Sequence, residues 1–421
     1  MTKAEELLRA VPWKNGKPTI ARAAELVERM GNPQDSLRTI HIAGTNGKGS
    51  VAAMTERILR EAGFKTGLFT SPSLIDFNER IRINGRAVTE DELLPVTKEV
   101  MKAAAGMQDA PSEFETTAAA MYQLFLEEKC DVCVIETGMG GTFDATNVLR
   151  KPAVTAITQV GLDHMQYLGN TVGEIAGEKA GILKEGVPCV LEADDPEAVE
   201  VISSRAAGLG CRLIRVDKKA VSGGVWKDRM QSFSYKDRKN LTLSLLGRHQ
   251  LMNAAAVCEI IDELRRQGME VPEEAVRTGF ENTIWPARFQ YLGQGLWVDG
   301  GHNPSGIARI VETVRDNLGK VSLLYGTFRD KDWRKNVDEL LTVSGPVFLV
   351  KLENPRTEEP EIIQDYIRSR GGNAAVCTDI KSGIDAARTA GRGAGMDALA
   401  VGSLSLAGSV LKAEGFDCSN I

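Results

Sequence analysis

Thr39-Ile40-His41-Ile42-Ala43-Gly44-Thr45-Asn46-Gly47-Lys48-Gly49-Ser50 is an apolar, β-rich run that feeds a loop of glycine, lysine and serine. Downstream, Val51, Met54, Ile58, Leu59 and Ala62 recur at helical spacing, and Gly63 ends the pattern. Strand, glycine-rich loop and helix in that order make a phosphate grip. Glycines let backbone N–H groups approach the oxygens, the helix N-terminus adds a favourable dipole, and Lys48 supplies a charge. The loop departs from the usual P-loop pattern. Ile42 stands in place of the outer glycine, and Gly49 stands where a magnesium-binding hydroxyl usually follows the lysine. Nucleotide binding is the reading it supports. A plain Gly-rich turn is the alternative, and Lys48 with Ser50 weighs against it.

Outward from this loop, β-rich runs alternate with helical patterns from 39 to about 216, which predicts an α/β domain around a parallel sheet. Strands are expected at 39–43, 65–69, 132–136, 154–159, 189–191 and 212–216. Three short alternating runs between 221 and 246 predict a small antiparallel appendage, followed by a long helix over about 250–266. Asn282-Thr283-Ile284-Trp285-Pro286-Ala287-Arg288 carries a helix-stopping proline between two α/β blocks. Strands near 296–299, 321–325, 347–350, 374–377 and 398–401 then predict a second, smaller Rossmann-like α/β domain without a GxGxxG fingerprint. The expected division is 1–284 for the ATP-binding domain, 285–295 for a hinge and 296–421 for the second domain.

Length and charge narrow the function. A chain of 421 residues suggests two domains, and 51 basic against 57 acidic residues, with no long basic run, argues against a nucleic-acid partner. No apolar run is long enough to span a bilayer, and Met1–Glu6 reads as a polar helix start, so a cytoplasmic protein is expected. The seven cysteines are scattered. Cys130 and Cys133 form a CxxC with no second pair to complete a zinc site, so core thiols are expected.

Ligands of an open parallel sheet sit outside the carboxyl ends of its strands. Glu136 closes the run Val132–Ile135 and precedes Thr137-Gly138-Met139-Gly140-Gly141, Asp163-His164 follow the 154–159 strand, and Ser71 follows Leu68-Phe69-Thr70. A carboxylate at such an end suits magnesium on a triphosphate, because hard cations prefer oxygen ligands. Since Gly49 removes the usual hydroxyl, Ser50 or Ser71 has to supply one. Local sequence leaves His164 open between a ligand and a loop histidine. It reads Lys179, on a helix begun by Thr171, as a solvated lysine. Asp299-Gly300-Gly301-His302 reads as a tight turn or a polar site, Arg288 as a phosphate contact or a surface partner for an acid, and Asn253 as a helix-start polar residue.

The residues also resemble a known family. Gly44–Ser50, Thr70-Ser71-Pro72, Phe77-Asn78-Glu79-Arg80-Ile81, Phe114-Glu115, Gly140-Gly141-Thr142-Phe143-Asp144-Ala145-Thr146-Asn147, Leu162-Asp163-His164, Glu178-Lys179-Ala180-Gly181, Trp285–Phe289 and Asp299–Pro304 resemble the motifs of the folylpolyglutamate synthase/dihydrofolate synthase family of Mur ligases. The resemblance implies a Mur ligase-like fold, a P-loop ATPase domain joined to a Rossmann-like α/β domain. It implies that Gly47, Lys48, Gly49 and Ser50 hold the phosphates of ATP, and that Asn253, Arg288 and Asp299 contact the nucleotide. Ser71, Glu136 and His164 are the implied magnesium ligands, with Lys179 carbamylated to bind a second ion. Phe114, Glu115 and Thr142 are implied to face the folate.

The implied reaction joins L-glutamate to a folate carboxylate through an acyl phosphate, with Lys48, Lys179 and His302 as the catalytic set, in a monomer. Three positions depart from the pattern. Ser73 replaces a histidine, Ser405 a tyrosine, and Thr142 the arginine that helps bifunctional members hold the pterin, which puts dihydropteroate use in question. Rival readings are another Mur-type ligase acting on a cell-wall precursor and an NTP-driven switch. The lack of a preceding UDP-sugar domain speaks against the first. The lack of an Asn-Lys-x-Asp signature and the presence of a full second α/β domain speak against the second.

Overall fold

The computed structural model describes residues 2–9 and 19–421; positions 1 and 10–18 of the expected first domain lie outside the described residues. In the first domain, β1 (Thr39–Ala43), β2 (Thr66–Phe69), β3 (Ile81–Ile83), β4 (Arg86–Ala87), β5 (Val132–Glu136), β6 (Val154–Ile157), β7 (Cys189–Leu191) and β8 (Leu213–Arg215) form one sheet in the order β4-β3-β2-β5-β1-β6-β7-β8. β1 lies parallel between β5 and β6, with His41 opposite Ile135 on one side and Thr155 on the other. Every residue of β1 and β5 is buried, which is why both read as unbroken apolar runs. Alternate β5 residues serve two cores. Val132 and Val134 pack with Ile40, Ile42 and the long helix Arg248–Arg266. Cys133 and Ile135 face the other way, onto Tyr122 and Phe125 of the helix Glu113–Glu127.

β3 and β4 are an antiparallel edge that the sequence reading did not anticipate. They are joined by Asn84-Gly85, both at positive φ, the two-residue turn whose twist matches a hairpin. The appendage is present as β9 (Val221–Lys227), β10 (Met230–Tyr235) and β11 (Arg238–Leu243), all antiparallel. The second domain's β12 (Gln290–Gly293), β13 (Leu296–Val298), β14 (Val321–Tyr325), β15 (Ser344–Leu349), β16 (Ala374–Val376) and β17 (Asp397–Val401) are ordered β12-β13-β17-β14-β15-β16. All pair in parallel except β12, so the stretch read as hinge, 285–295, ends in a strand of the second sheet.

After its last helix, Leu404–Ala413, the chain returns to the first domain. Ala87 N–H donates to Ser419 O at 2.7 Å and Ile421 N–H to Gly85 O at 3.1 Å, so the tail lines the edge of β4. The buried Arg82 guanidinium donates to Cys418 O at 2.6 Å and Ser419 O at 3.2 Å, and Ile421 joins the first domain's core. All seven cysteines are free thiols and six are buried, as expected of core residues. Among the described residues no helix is long and apolar enough to cross a membrane.

Candidate active site

Each phosphate-loop glycine has a neighbour that excludes a side chain. A Cβ on Gly44 would run into Thr158, one on Gly47 would lie 2.5 Å from Asn253 Oδ1, and one on Gly49 would lie 2.9 Å from Trp285 Nε1. The loop is also fastened from outside. Thr45 N–H donates to Gln159 O at 2.7 Å, and the Thr158 hydroxyl donates to Asn46 O at 2.7 Å. Asn253 does more than begin a helix: its Nδ2 donates to Gln250 Oε1 at 2.8 Å, and Gln250 Nε2 donates to the buried Ser50 hydroxyl at 3.2 Å. Sequence reasoning missed Gln250 because its partner lies 200 positions away.

Glu136 closes β5 and is buried. Its Oε1 lies 3.8 Å from Lys48 Nζ, and its Oε2 accepts Ser71 N–H at 3.3 Å. Burial is the main influence on this carboxyl and raises its pKa, and Lys48 only partly offsets that. A bound hard cation would relieve the same cost, so Glu136 with the adjacent Ser71 fits magnesium. Among the described residues no three His, Cys, Asp or Glu side chains converge as a metal site. His164 sits in a left-handed turn, a little under half exposed, with Nε2 4.0 Å from Asp163 Oδ1.

Lys179 overturns its local reading. Its helix, Val172–Ala180, starts at the Thr171–Glu174 capping box, yet the side chain is buried and Nζ donates to Gly44 O at 2.8 Å. Burial, and then the charge of Lys48, lowers its amine to about 7. Helix periodicity does not reveal this, because the surface covering Lys179 is the phosphate loop.

One crevice is lined by Gly49, Ser71, Glu136, Trp285, Arg288 and Leu404, which brings both domains to one place. Asp299, at the end of β13, is buried, with Oδ2 accepting Phe289 N–H at 2.8 Å and Oδ1 accepting Gly301 N–H at 2.7 Å. Burial raises its pKa, and Arg288 opposes the rise. His302 Nδ1 is 3.0 Å from Gly300 O, a contact that needs the proton on Nδ1 and leaves Nε2 as an acceptor. Burial, then Lys331, lowers its pKa, which favours the neutral ring.

Lys331, which sequence reasoning did not single out, points across the cleft. Its Nζ lies 3.9 Å from Asp163 Oδ1. Asn303 Nδ2 reaches Asp163 Oδ2 and Asn46 Oδ1, each at 3.2 Å.

The three residues expected to face folate are placed differently from one another. Phe114 packs against Gly138 and lies 5.9 Å, ring to ring, from Phe69. Glu115 is engaged by Arg22 Nε at 3.1 Å and by Ser112 N–H at 2.5 Å. The Thr142 hydroxyl donates to Glu178 O at 3.1 Å.

Comparison with known proteins identifies the family of both domains. Residues 42–261 match the Mur ligase middle domain and residues 287–403 the Mur ligase glutamate ligase domain. The chain is 32% identical to the dihydrofolate synthase/folylpolyglutamate synthase of Bacillus subtilis, over 85% of this chain and 90% of that protein. It is 33% identical to the folylpolyglutamate synthase of Lacticaseibacillus casei, over 81% and 82%. Mycobacterium tuberculosis folylpolyglutamate synthase complexed with ADP superposes with a TM-score of 0.90 at 28% identity, covering 99% of this chain and 98% of that one. E. coli FolC in complex with DHPP and ADP gives 0.84 at 27% identity, covering 97% and 96%. The chain therefore belongs to the Mur ligases, in the family of folylpolyglutamate and dihydrofolate synthases.

Proposed function

We propose that this protein is an ATP-dependent ligase that joins L-glutamate in γ-glutamyl amide linkage to a reduced folate. The observation that carries the reading is the shared crevice, in which the phosphate-loop glycine Gly49 and Glu136 of one domain meet Arg288 of the other. The substrate class comes from the relatives, whose names and complexes are those of folate synthases, with ADP and an ATP analogue bound.

A carboxylate oxygen of the folate attacks the γ-phosphorus of ATP, and ADP leaves. The amine of glutamate then attacks the carbonyl carbon of the acyl phosphate, releasing phosphate and a proton. Lys48 and the loop N–H groups hold the phosphates, and Asn253, Arg288 and Asp299 hold the rest of the nucleotide. Magnesium held by Glu136 and Ser71, with a second ion at His164 and an N-carboxylated Lys179, would neutralise charge on the transferring phosphoryl group. Lys331 is a cation of the second domain facing Asp163 of the first across the cleft, and it suits a carboxylate of the incoming glutamate. Neutral His302 offers Nε2 to orient the same substrate. Contact between the domains keeps water from the acyl phosphate. Phe114 contributes an apolar wall for the folate. Uncharged Thr142 supplies no cation for a pterin, so tetrahydrofolate is the proposed substrate ahead of dihydropteroate. The enzyme works as a monomer in the cytoplasm, a setting that suits seven free thiols.

The test is Lys48→Ala, assayed for phosphate release that requires both tetrahydrofolate and glutamate. Turnover should fall by roughly a hundredfold or more. Full turnover in the variant, or wild-type release that ignores both substrates, refutes the scheme.

A further inference from the structure

Two loops carry the second domain's groups toward the amino-acid half of the cleft, and they are not neighbours. His302 follows β13 and Lys331 follows β14, while β17 lies between those strands, so the loops start roughly 10 Å apart, two inter-strand spacings. Asn336 joins them. It is fully buried on the helix Trp333–Leu341, and its Nδ2 donates to His302 O at 2.9 Å. Its own N–H donates to Asp332 O at 3.2 Å, and Trp333 N–H donates to Lys331 O at 2.8 Å, so the helix that carries Asn336 also holds the Lys331 backbone. Trp333 makes that start rigid. It is buried edge-on to Tyr366 at 5.4 Å, and its Nε1 donates to Glu358 Oε2 at 2.8 Å.

Packing alone does not explain a polar residue here. Asn336 Oδ1, the Tyr325 hydroxyl and the Thr327 hydroxyl form one buried polar cluster, in which Tyr325 lies within interacting range of both others but no contact has good hydrogen-bond geometry. Half-satisfied polar groups cost stability where leucine and phenylalanine would not. What the amide adds is the bond to the His302 carbonyl.

We propose that Asn336 is a positioning residue for the acceptor amino acid, locking the His302 and Lys331 loops into one unit so that both meet glutamate in fixed register. The inference rests on the ligase reading above. It assigns Asn336 no contact with substrate.

The test compares wild type with Asn336→Leu and the near-isosteric Asn336→Asp in glutamate, aspartate and ATP kinetics, alongside thermal melting. Loosening the pair should raise the glutamate KM by about tenfold, with kcat within about threefold and the ATP KM unchanged. The preference for glutamate over aspartate, as a ratio of kcat/KM, should shrink by a similar factor. If Asn336→Leu fails to fold, Asn336→Asp carries the measurement. A folded variant with an unaltered glutamate KM, or with glutamate and ATP KM rising together, overturns the proposal alone. A wild type whose phosphate release ignores glutamate overturns the ligase reading, and this inference with it.

Discussion

The side-chain amide of Asn46, in the phosphate loop, donates to the hydroxyl of Ser305 at 2.8 Å, so the loop that grips phosphate is bonded directly to the second domain. Asn303 extends the link to Asp163, and Lys331 faces the same carboxylate. These contacts predict that occupancy of the loop and closure of the cleft are coupled. The Asn46–Ser305 bond is exposed, so its net worth is about 1 kcal/mol, or about fivefold in the ratio of closed to open forms. Ser305→Ala should lower kcat/KM for ATP by about that factor while leaving the melting temperature alone. An unchanged kcat/KM would show that closure does not depend on this bond.

Gly49→Ala places a methyl group 2.9 Å from Trp285 Nε1, and the indole, just after the helix Glu273–Asn282, must shift. The ATP KM should rise by about tenfold. Gly47→Ala combines φ +92 with the approach to Asn253 Oδ1 and should be the more damaging change. Steady-state ATP kinetics of both variants check the order, and equal effects would contradict it.

The Lys179 amine, lowered to about 7 by burial beside Lys48, is substantially neutral at physiological pH, as an amine must be to take up carbon dioxide. With ¹³C-bicarbonate the protein should show a carbamate resonance that grows as pH rises through 7 and is absent from Lys179→Ala. Its persistence in that variant would place the modification elsewhere.

Glu192 gives a pH signature of stability. Burial pushes its carboxyl from 4.5 up to about 7, while Gln159 Nε2 donates to Oε1 at 2.9 Å. Between those values the folded chain holds a proton that the unfolded chain has lost. The stabilisation is therefore complete below about pH 4.5 and is lost as pH climbs through 7, on the order of 3 kcal/mol. Glu192→Gln, which stays neutral throughout, should flatten this part of the stability profile in denaturant titrations. Parallel profiles for the two proteins would refute the assignment.

Legibility followed burial and sequence distance. β1 and β5 announce themselves because helices cover both their faces, and the expected strands of both sheets lie within a few residues of the observed ones. β3, β4 and β12 were missed. The first two are only three and two residues long, and β12 is half-buried throughout, without alternation. Their one local signal was Asn84-Gly85. The phosphate loop was readable because backbone geometry demands glycine there. Gln250, Ser305, Lys331 and Asn336 were not, because each owes its place to partners that only tertiary structure supplies. Lys179 shows the same limit, since its helix looks solvated until Gly44 covers it.

The chain crosses between the domains twice, out through Trp285–Phe289 and back through the tail on β4, and Gly408 abuts Leu74 between those crossings. A body fastened at two separated places can swing only about the line through them, as a door does on a pair of pins. Rocking in other directions would have to tear Ile421 from its socket and strip Arg82 of its carbonyls. Any swing that keeps both fastenings intact carries the His302 and Lys331 loops along a single arc.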